Sequence, residues 1–425
     1  MDSVVRDTAG LPSGGPDDNT PAVVLGPGGG VSATGDGLIR RRRRRWIRGG
    51  TAGVAVLVAG ALAAGWIVYA KLDGNITPDE AAAAELARYE RERPTALVRG
   101  AQNILLIGSD SRAGAGNRKY GRDSGTERSD TTILLHLSAG RRSATAVSIP
   151  RDLMVDVPSC RRPDGSRTAP AFAMFNYAFE KGGSACTIRT VERMTDIRID
   201  HHAVVDFSGF KKLVDAVGGV RICVAEPIVD KEAKLRLPAG PVTLDGEQAL
   251  GYVRARKSLG DGSDTDRMER QQQFLAALVQ KLRGSDVLLN PVKLYPVLDA
   301  ATSSLTTDPG LASLRGLYDL VRGLRDIPTE RVQFLTVPRE SYARDANRDQ
   351  LMEPEARRLF ERLRADAPVQ VSGKTVLDFG ESAGEGNGGA DSQSFGYGEY
   401  ADSILSPVSP APTFSGKTAA EDGCR

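Results

Sequence analysis

The feature that most constrains this chain of 425 residues is a run without charge, GGTAGVAVLVAGALAAGWIVYA, from Gly49 to Ala70. A helix of about 20 residues, rising 1.5 Å per residue, spans the roughly 30 Å hydrocarbon core of a bilayer. Arg40–Arg48 reads RRRRRRWIR, and an acidic stretch follows the run. Because basic residues stay on the cytoplasmic side, we predict one transmembrane helix at 49–70, a cytoplasmic N-terminus and an extracytoplasmic remainder.

A cleaved signal peptide is the alternative interpretation of this run. Its apolar region would be shorter and closer to the start of the chain, which favours an uncleaved membrane anchor. The preceding residues are rich in Gly, Pro, Asp and Ser. A composition of this kind cannot bury a core, so 1–48 is predicted to be a disordered cytoplasmic tail that carries the basic run.

The segment after the anchor, 71–97, is predicted to be a helical stalk. Thr77 and Glu80 have the spacing of a capping box, with Pro78 at the first helical position, and Pro94 ends the pattern. A dimerising coiled coil is the alternative. The globular domain is then expected over 98–367, and the stretch 368–425 is expected to be a disordered low-complexity tail because it is rich in Gly, Ser and Pro.

Strand-like and helical patterns alternate within this domain, which favours an α/β layered fold. The strands are expected at HAVVDF, VRICV and VQFLTVP. The helical patterns fall at 187–195, 210–217, 267–283, 311–325 and 355–364. The formal charge of +2 is nearly balanced, so net charge does not imply a nucleic-acid partner.

Three apolar runs, NILLIG, TTILLHL and TAVSIP, each meet charged residues at one end. In an antiparallel meander these ends would lie at one edge of the sheet, where the charged residues would be Asp110, Arg112, Arg128, Asp130, Arg151 and Asp152. Carboxylates suit a hard cation such as Mg²⁺, and guanidinium groups suit phosphate oxygens. The edge is therefore interpreted as a site for a metal-bound polyphosphate, with a solvated rim of surface ion pairs as the alternative.

A second basic cluster follows the turn at LDGEQAL. Arg254 and Arg256 would share one side of an extended segment. A helix then begins with Asp264 or Asp266 as its N-cap, and its first turns carry Arg267, Arg270 and Gln271 on one face. Helix N-termini favour anions, although a solvated polar face is an equally acceptable interpretation of this helix alone.

The four cysteines lie in a compartment that permits disulfides if the topology is correct. Cys160 and Cys186 flank FNYAFEKGG, and a bond between them would stabilise the fold by roughly 3 kcal/mol. Cys223 and Cys424 could form a second bond, but the sequence does not determine the connectivity. His136, His201 and His202 have no zinc-like spacing, and each is interpreted as a structural residue.

Six stretches together resemble the LytR-CpsA-Psr family of bacterial envelope proteins. In chain order they are IGSDSR (107–112), RSDTTILLHL (128–137), SIPRDLMVDVP (148–158), VDFSGFKKLVDAVGGV (205–220), LDGEQALGYVRAR (244–256) and the pattern D-x-x-R-x-x-R-Q-Q (264–272). The resemblance covers about 104–282. It implies an α/β/α sandwich around a central mixed sheet, with an apolar tunnel for a lipid tail.

The resemblance also implies a cell-wall phosphotransferase. Such an enzyme takes a glycopolymer, for example wall teichoic acid, from a polyprenyl-pyrophosphate carrier and transfers it with one phosphate to peptidoglycan. Asp110 and Asp130 match the family's Mg²⁺ ligands, and Arg151 joins them as a catalytic residue. The residues that match its pyrophosphate-binding set are Arg112, Arg128, Arg151, Arg254, Arg256, Arg267, Arg270 and Gln271.

Two other functions use the same sequence features. A hydrolase would cleave the same lipid pyrophosphate with water as the acceptor. A membrane adaptor or transcription attenuator would bind nucleic acid through the Arg run, but that run adjoins the membrane and no DNA-binding fold precedes it. The transferase is therefore the preferred prediction.

Overall fold

The computed structural model describes residues 36–110, 129–162, 164–255, 264–284, 290–373 and 412–421. The chain divides into two compact units, 1–65 and 66–425. In the first unit, the described residues belong to helix α1 (Asp36–Gly74), which continues into the second. Its part Gly50–Gly74 is apolar and long enough to cross a membrane. The basic run was predicted to be disordered but is helical from Asp36, since arginine is a good helix former.

A nine-stranded mixed sheet is the centre of the second unit within the described residues. Its strands are, in spatial order, β1 (Thr77–Pro78), β12 (Leu305–Thr307), β7 (His201–Asp206), β2 (Gln102–Ser109), β3 (Ser129–Leu137), β4 (Ala144–Ile149), β13 (Val332–Thr336), β17 (Thr413–Thr418) and β16 (Gln370–Ser372). Four two-stranded pairs accompany it: β5 (Met154–Val157) with β6 (Ala171–Met174), β8 (Val220–Val224) with β11 (Gly240–Leu244), β9 (Ile228–Asp230) with β10 (Leu235–Leu237), and β14 (Arg339–Tyr342) with β15 (Asp345–Leu351).

Helices cover both faces of this sheet. They are α2 (Glu80–Arg88), α3 (Asn176–Thr195), α4 (Phe207–Ala216), α5 (Gly246–Arg254), α6 (Asp264–Gly284), α7 (Pro291–Ser304), α8 (Leu314–Arg325) and α9 (Glu355–Arg364). Leu105 and Val147 belong to a core shared with α2, α3 and α9. On the other face Ile104 and Ala146 pack with residues of α6 and α8. The predicted α/β/α sandwich is therefore confirmed.

The predicted meander is also confirmed. β2 pairs antiparallel with β3, and β3 pairs antiparallel with β4. Ser109 at the end of β2 lies opposite Ser129 at the start of β3, and Thr132 lies opposite Ile149 at the end of β4. The three charged strand ends therefore meet at one edge.

The segment predicted to be a stalk is an integral part of the domain. Thr77 and Pro78 pair with β12 instead of capping a helix, and the cap of α2 is Asp79, which accepts a hydrogen bond from the Ala82 amide at 3.0 Å. Leu72, Ile76, Ala82 and Leu86 are buried. These four apolar side chains are therefore shielded from water by the domain, as they would not be in a free stalk.

The carboxylate of Asp79 is the centre of a partly buried polar cluster. Its Oδ2 accepts a hydrogen bond from Ser184 Oγ at 2.5 Å and lies 3.2 Å from His202 Nε2. Burial raises the pKa of Asp79, but the hydrogen bonds from His202, Ser184 and the Ala82 amide outweigh burial and lower the pKa to about 2. The cluster joins the start of α2 to α3 and β7.

The prediction of a disordered C-terminal tail is wrong for two stretches. Gln370–Ser372 forms β16, and Thr413–Thr418 forms β17 between β13 and β16. Phe414 is buried against the core. Composition missed this strand because its hydrogen-bond partners come from a distant edge of the sheet, not from its own sequence.

The disulfide favoured by the sequence joins Cys160 to Cys186. It packs against a kink in α3, where Gly182 has no room for a side chain. A Cβ atom there would lie 2.8 Å from the Cβ of Cys186 and 2.9 Å from that of Cys160. Cys223 is also disulfide-bonded, and Cys424 lies outside the described residues.

Candidate functional site

A cavity of about 750 Å³ lies between the sheet and helices α4, α5 and α6. Two rows of residues across β3, β2 and β7 form its floor: Ile133, Leu106 and Ala203, then Thr131, Gly108 and Val205. Small residues at 108 and 203 leave space above the sheet that larger side chains would fill. The floor is therefore lowest at Gly108 of β2 and Ala203 of β7.

The roof of the cavity is mostly apolar. The apolar lining residues from the helices are Phe207, Phe210 and Leu213 of α4, Leu250 and Val253 of α5, and Phe274, Leu275 and Leu278 of α6. The rings of Phe210 and Phe274 lie 5.4 Å apart between centroids. A roof of this kind suits a hydrocarbon ligand, because a buried apolar chain gains free energy for each methylene removed from water.

The end of the cavity at the sheet edge is charged. It includes seven of the residues that the sequence placed at the site: Asp110, Asp130, Arg151, Asp152, Arg254, Arg267 and Gln271. Arg112, Arg128 and Arg256 lie outside the described residues. One continuous cavity therefore joins the predicted polar residues to an apolar interior.

Arg151 is held by two carboxylates at this end. Its Nη1 donates a hydrogen bond to Asp130 Oδ1 at 2.8 Å, and its Nε donates to Asp152 Oδ2 at 3.3 Å. The side chains of Arg151 and Asp130 remain 22% and 31% exposed. Both groups are thus positioned by each other and still accessible to a ligand.

Arg254 reaches the site from the end of a helix, so the prediction of an extended segment is wrong here. Asp245 caps α5 by accepting from the Gln248 amide at 2.8 Å, and Gln248 Oε1 accepts from the Asp245 amide at 3.1 Å. This capping box starts a helix that continues to Arg254. The guanidinium carbon of Arg254 lies 4.5 Å from the ring centroid of Phe207, within the range of a cation–π contact.

Helix α6 begins at Asp264, and two of its predicted polar residues, Arg270 and Gln271, have different contacts. Gln271 lines the cavity and donates from Nε2 to Thr131 Oγ1 at 3.1 Å and to the Val253 carbonyl at 3.2 Å. Arg270 does not line the cavity. It is buried, which lowers its pKa, and it donates to the Ala255 carbonyl. Arg270 therefore braces the end of α5, next to Arg254.

The charges around the described part of the cavity favour a cation as well as an anion. Six carboxylates, of Asp110, Asp130, Asp152, Asp206, Asp230 and Glu232, line it together with four guanidinium groups. Within the part of the chain that the structure describes, no cluster of three or more His, Cys, Asp or Glu side chains could hold a metal by itself. Two carboxylates supplemented by phosphate oxygens are the ligands that Mg²⁺ often takes, so Asp110 and Asp130 fit this ion.

Arg348 also lines the cavity, although no sequence motif pointed to it. It lies on β15, far along the chain from the other charged residues. Period-two alternation could have shown which residues share its side of the strand. It could not have shown that this hairpin packs beside Asp152, because that contact depends on tertiary structure.

Comparisons with known proteins agree with this architecture. The model of the LytR_cpsA_psr family matches residues 73–365. The probable cell wall biosynthesis protein LcpB of Corynebacterium glutamicum is 36% identical over 68% of this chain and 64% of its own. The chain spans 50% of a second relative from that organism, the cell wall biosynthesis protein LcpA, so it matches less than two thirds of either protein.

Two Bacillus subtilis proteins extend the comparison. The polyisoprenyl-teichoic acid–peptidoglycan teichoic acid transferase TagT is 28% identical over 68% of this chain and 85% of its own. The crystal structure of TagV superposes with a TM-score of 0.50 and 23% identity, covering 64% of this chain and 98% of that chain. The likeness to TagV concerns the fold.

Proposed function

The chain belongs to the LytR-CpsA-Psr family, and we propose that it transfers a glycopolymer with one phosphate from a polyprenyl-pyrophosphate carrier to a sugar hydroxyl of peptidoglycan. The relatives named as teichoic acid transferases and cell wall biosynthesis proteins support this reaction class. The polymer is therefore expected to be wall teichoic acid or another wall glycopolymer.

The observation that carries the proposal is the continuity of one cavity from a charged end to an apolar interior. A polyprenyl pyrophosphate is an amphiphile with the same division. Its pyrophosphate matches Arg151, Arg254 and Arg267, because guanidinium groups form paired hydrogen bonds with phosphate oxygens. Its hydrocarbon chain matches the phenylalanine- and leucine-lined interior. A hydrophilic phosphate donor would not need that interior.

The proposed reaction forms one P–O bond and breaks another. The acceptor hydroxyl oxygen bonds to the phosphorus that carries the glycan, and the bond from this phosphorus to the bridging oxygen breaks. Polyprenyl phosphate leaves with that oxygen. Arg151, Arg254 and Arg267 stabilise the charge that develops on the phosphate oxygens, and a carboxylate of Asp110 or Asp130 takes the hydroxyl proton.

Asp110 and Asp130 would hold Mg²⁺ at the charged end. When bound there, the ion would neutralise negative charge on the phosphate groups. Arg151 contacts Asp130 directly, so it orients this carboxylate as well as binding phosphate. We propose that Arg151 keeps both contacts, one with Asp130 and one with phosphate, throughout the reaction.

The proposed topology makes the part of α1 over 49–70 a single membrane anchor, with the N-terminus in the cytoplasm and the α/β/α domain outside. The Arg run at its N-terminal side supports this orientation. The cavity would then be on the side of the membrane where peptidoglycan is assembled.

The test uses the full chain in detergent with Mg²⁺ and a labelled polyprenyl-pyrophosphate glycan, with and without peptidoglycan fragments. We expect label on peptidoglycan and free polyprenyl phosphate, and we expect both to be lost in Arg151→Ala and Asp130→Ala. Lipid cleavage at the same rate with and without peptidoglycan fragments would instead identify a hydrolase. Lipid binding without turnover would identify a non-enzymatic adaptor, and normal transfer by folded Asp130→Ala would exclude the metal-binding role of this residue.

A further inference from the structure

Arg348 comes from a part of the chain that carries none of the motifs described above. It lies on the hairpin of β14 and β15, and Ala343 and Arg344 form the turn between these strands. The hairpin docks on the backbone just after Arg151. The Asp349 amide donates to the Asp152 carbonyl at 3.3 Å, and Leu153 forms an isolated bridge with Asp349.

The docked hairpin is fixed at its base. Arg339 and Asp349 form an ion pair across the two strands, with side chains only 16% and 14% exposed. Leu351 packs against the main core. The position of Arg348 at the cavity is therefore set by packed structure and not by a loose surface loop.

Arg348 and Arg151 share one carboxylate. Arg151 Nε contacts Asp152 Oδ2 at 3.3 Å, while Arg348 Nη1 lies 3.6 Å from Asp152 Oδ1. Arg348 Nε also lies 3.6 Å from Asp345 Oδ2. Both distances from Arg348 are longer than those of ordinary N–H···O hydrogen bonds. These ion pairs therefore hold the guanidinium group at the cavity and leave its donors able to bind a ligand.

The exposure of Arg348 agrees with a ligand-contacting role. Its side chain is 33% exposed, while its partner Asp152 is 19% exposed. It lines the same cavity as Arg151, Arg254 and Arg267. A guanidinium group so placed increases the positive charge at the end of the cavity where an anionic ligand would bind.

We propose that Arg348 contacts a phosphate oxygen of the bound lipid pyrophosphate, as a further anion-binding residue from outside the motif-bearing segment. This inference rests on the proposed function. Its occupant is the pyrophosphate of a prenyl lipid, because the same cavity continues into the apolar interior. The contact does not require the glycan or the acceptor.

The test measures binding of geranylgeranyl pyrophosphate to the full chain in detergent by calorimetry, with geranylgeraniol as an uncharged probe of the same chain. Arg348→Ala should weaken the affinity for geranylgeranyl pyrophosphate by roughly ten- to a hundredfold, the usual range for a charged hydrogen bond. Binding of the alcohol should not change. Arg344→Ala is the matched control, because it removes the same charge from the exposed turn of the same hairpin.

Arg348→Gln removes the charge while retaining a long polar side chain, and it serves if the alanine variant unfolds. Arg348→Lys should recover part of the affinity, because lysine retains the charge but not the paired donors. If wild type binds the pyrophosphate probe and Arg348→Ala and Arg348→Gln bind it as Arg344→Ala does, Arg348 has no such contact. If wild type itself does not bind the probe, the proposed function fails and this inference with it.

Discussion

Replacement of Ala203 by leucine should separate recognition of the lipid chain from recognition of the pyrophosphate. Ala203 lies in the cavity floor on β7, next to Leu106 on the neighbouring strand β2. Leucine has three more carbon atoms than alanine, and they would occupy space otherwise available to the prenyl chain. At about 0.8 kcal/mol for each buried methylene, the loss is about 2 kcal/mol, or roughly thirtyfold in affinity.

The assay compares two pyrophosphates that differ only in their hydrocarbon. We expect geranylgeranyl pyrophosphate to reach the interior and isopentenyl pyrophosphate to occupy the charged end alone. We expect the Ala203→Leu variant to bind the long probe more weakly and the short probe as wild type does. Thermal unfolding of the variant provides the control for folding, because the added atoms enter a cavity and not a packed core.

Two results would refute this reasoning. Equal weakening of both probes would mean that the substitution disturbs the charged end, so the floor and the polar site would not be separable. Unchanged binding of the long probe would mean that the hydrocarbon does not occupy the cavity over Ala203. The second result would contradict the argument that the apolar interior binds the lipid chain, on which the proposed function depends.

Three further predictions concern the stability of the domain. The pKa of Asp79 is about 2 in the folded chain, below its ordinary value of 3.8. Its contribution to the free energy of unfolding is therefore complete above pH 3.8 and is lost as the pH falls toward 2. Denaturant unfolding at several pH values should show that the free energy of unfolding falls less over this interval for Asp79→Ala than for wild type. The double variant Cys160→Ser and Cys186→Ser opens a bridge across 26 residues, which should lower the free energy of unfolding by about 3 kcal/mol in the same assay, and an unchanged value would show that the bridge does not restrain the unfolded chain. A fragment that begins at Thr77 lacks the two buried apolar residues before β1, so it should be less stable by about 3 kcal/mol than a fragment that begins at Lys71, as thermal unfolding of both would reveal.

The sequence was most informative where hydrophobic patterns are local and long. The runs that form β2, β3 and β4 predicted their own pairing, and this pairing alone brings Asp110, Asp130 and Arg151 to one edge. The helical pattern that contains Arg267 and Gln271 was also correct. In these segments the residues that determine each element lie within it.

Some of the failures come from competition with partners elsewhere in the chain. Thr77 looks like a helix cap, but pairing with β12 takes it into the sheet and Asp79 becomes the cap. Arg254 was expected on an extended segment, but the local capping box of Asp245 and Gln248 begins a helix that continues to Arg254. Arg348 gave no signal at all, because its place at the cavity depends on how a distant hairpin packs.

Helix α6 has a consequence for the length of any lipid that the cavity accepts. Arg267 and Leu278 both line the cavity, and the eleven residues from one to the other rise about 16 Å at 1.5 Å each. One rigid helix therefore fixes the distance between the charged end of the cavity and its apolar interior. A much shorter lipid chain would leave some of the apolar lining residues exposed to water. Insertion of a single residue between Gln271 and Phe274 would rotate the two parts of the helix by about 100° relative to each other, so natural variation in length should be excluded from this segment and admitted only in the loops around it.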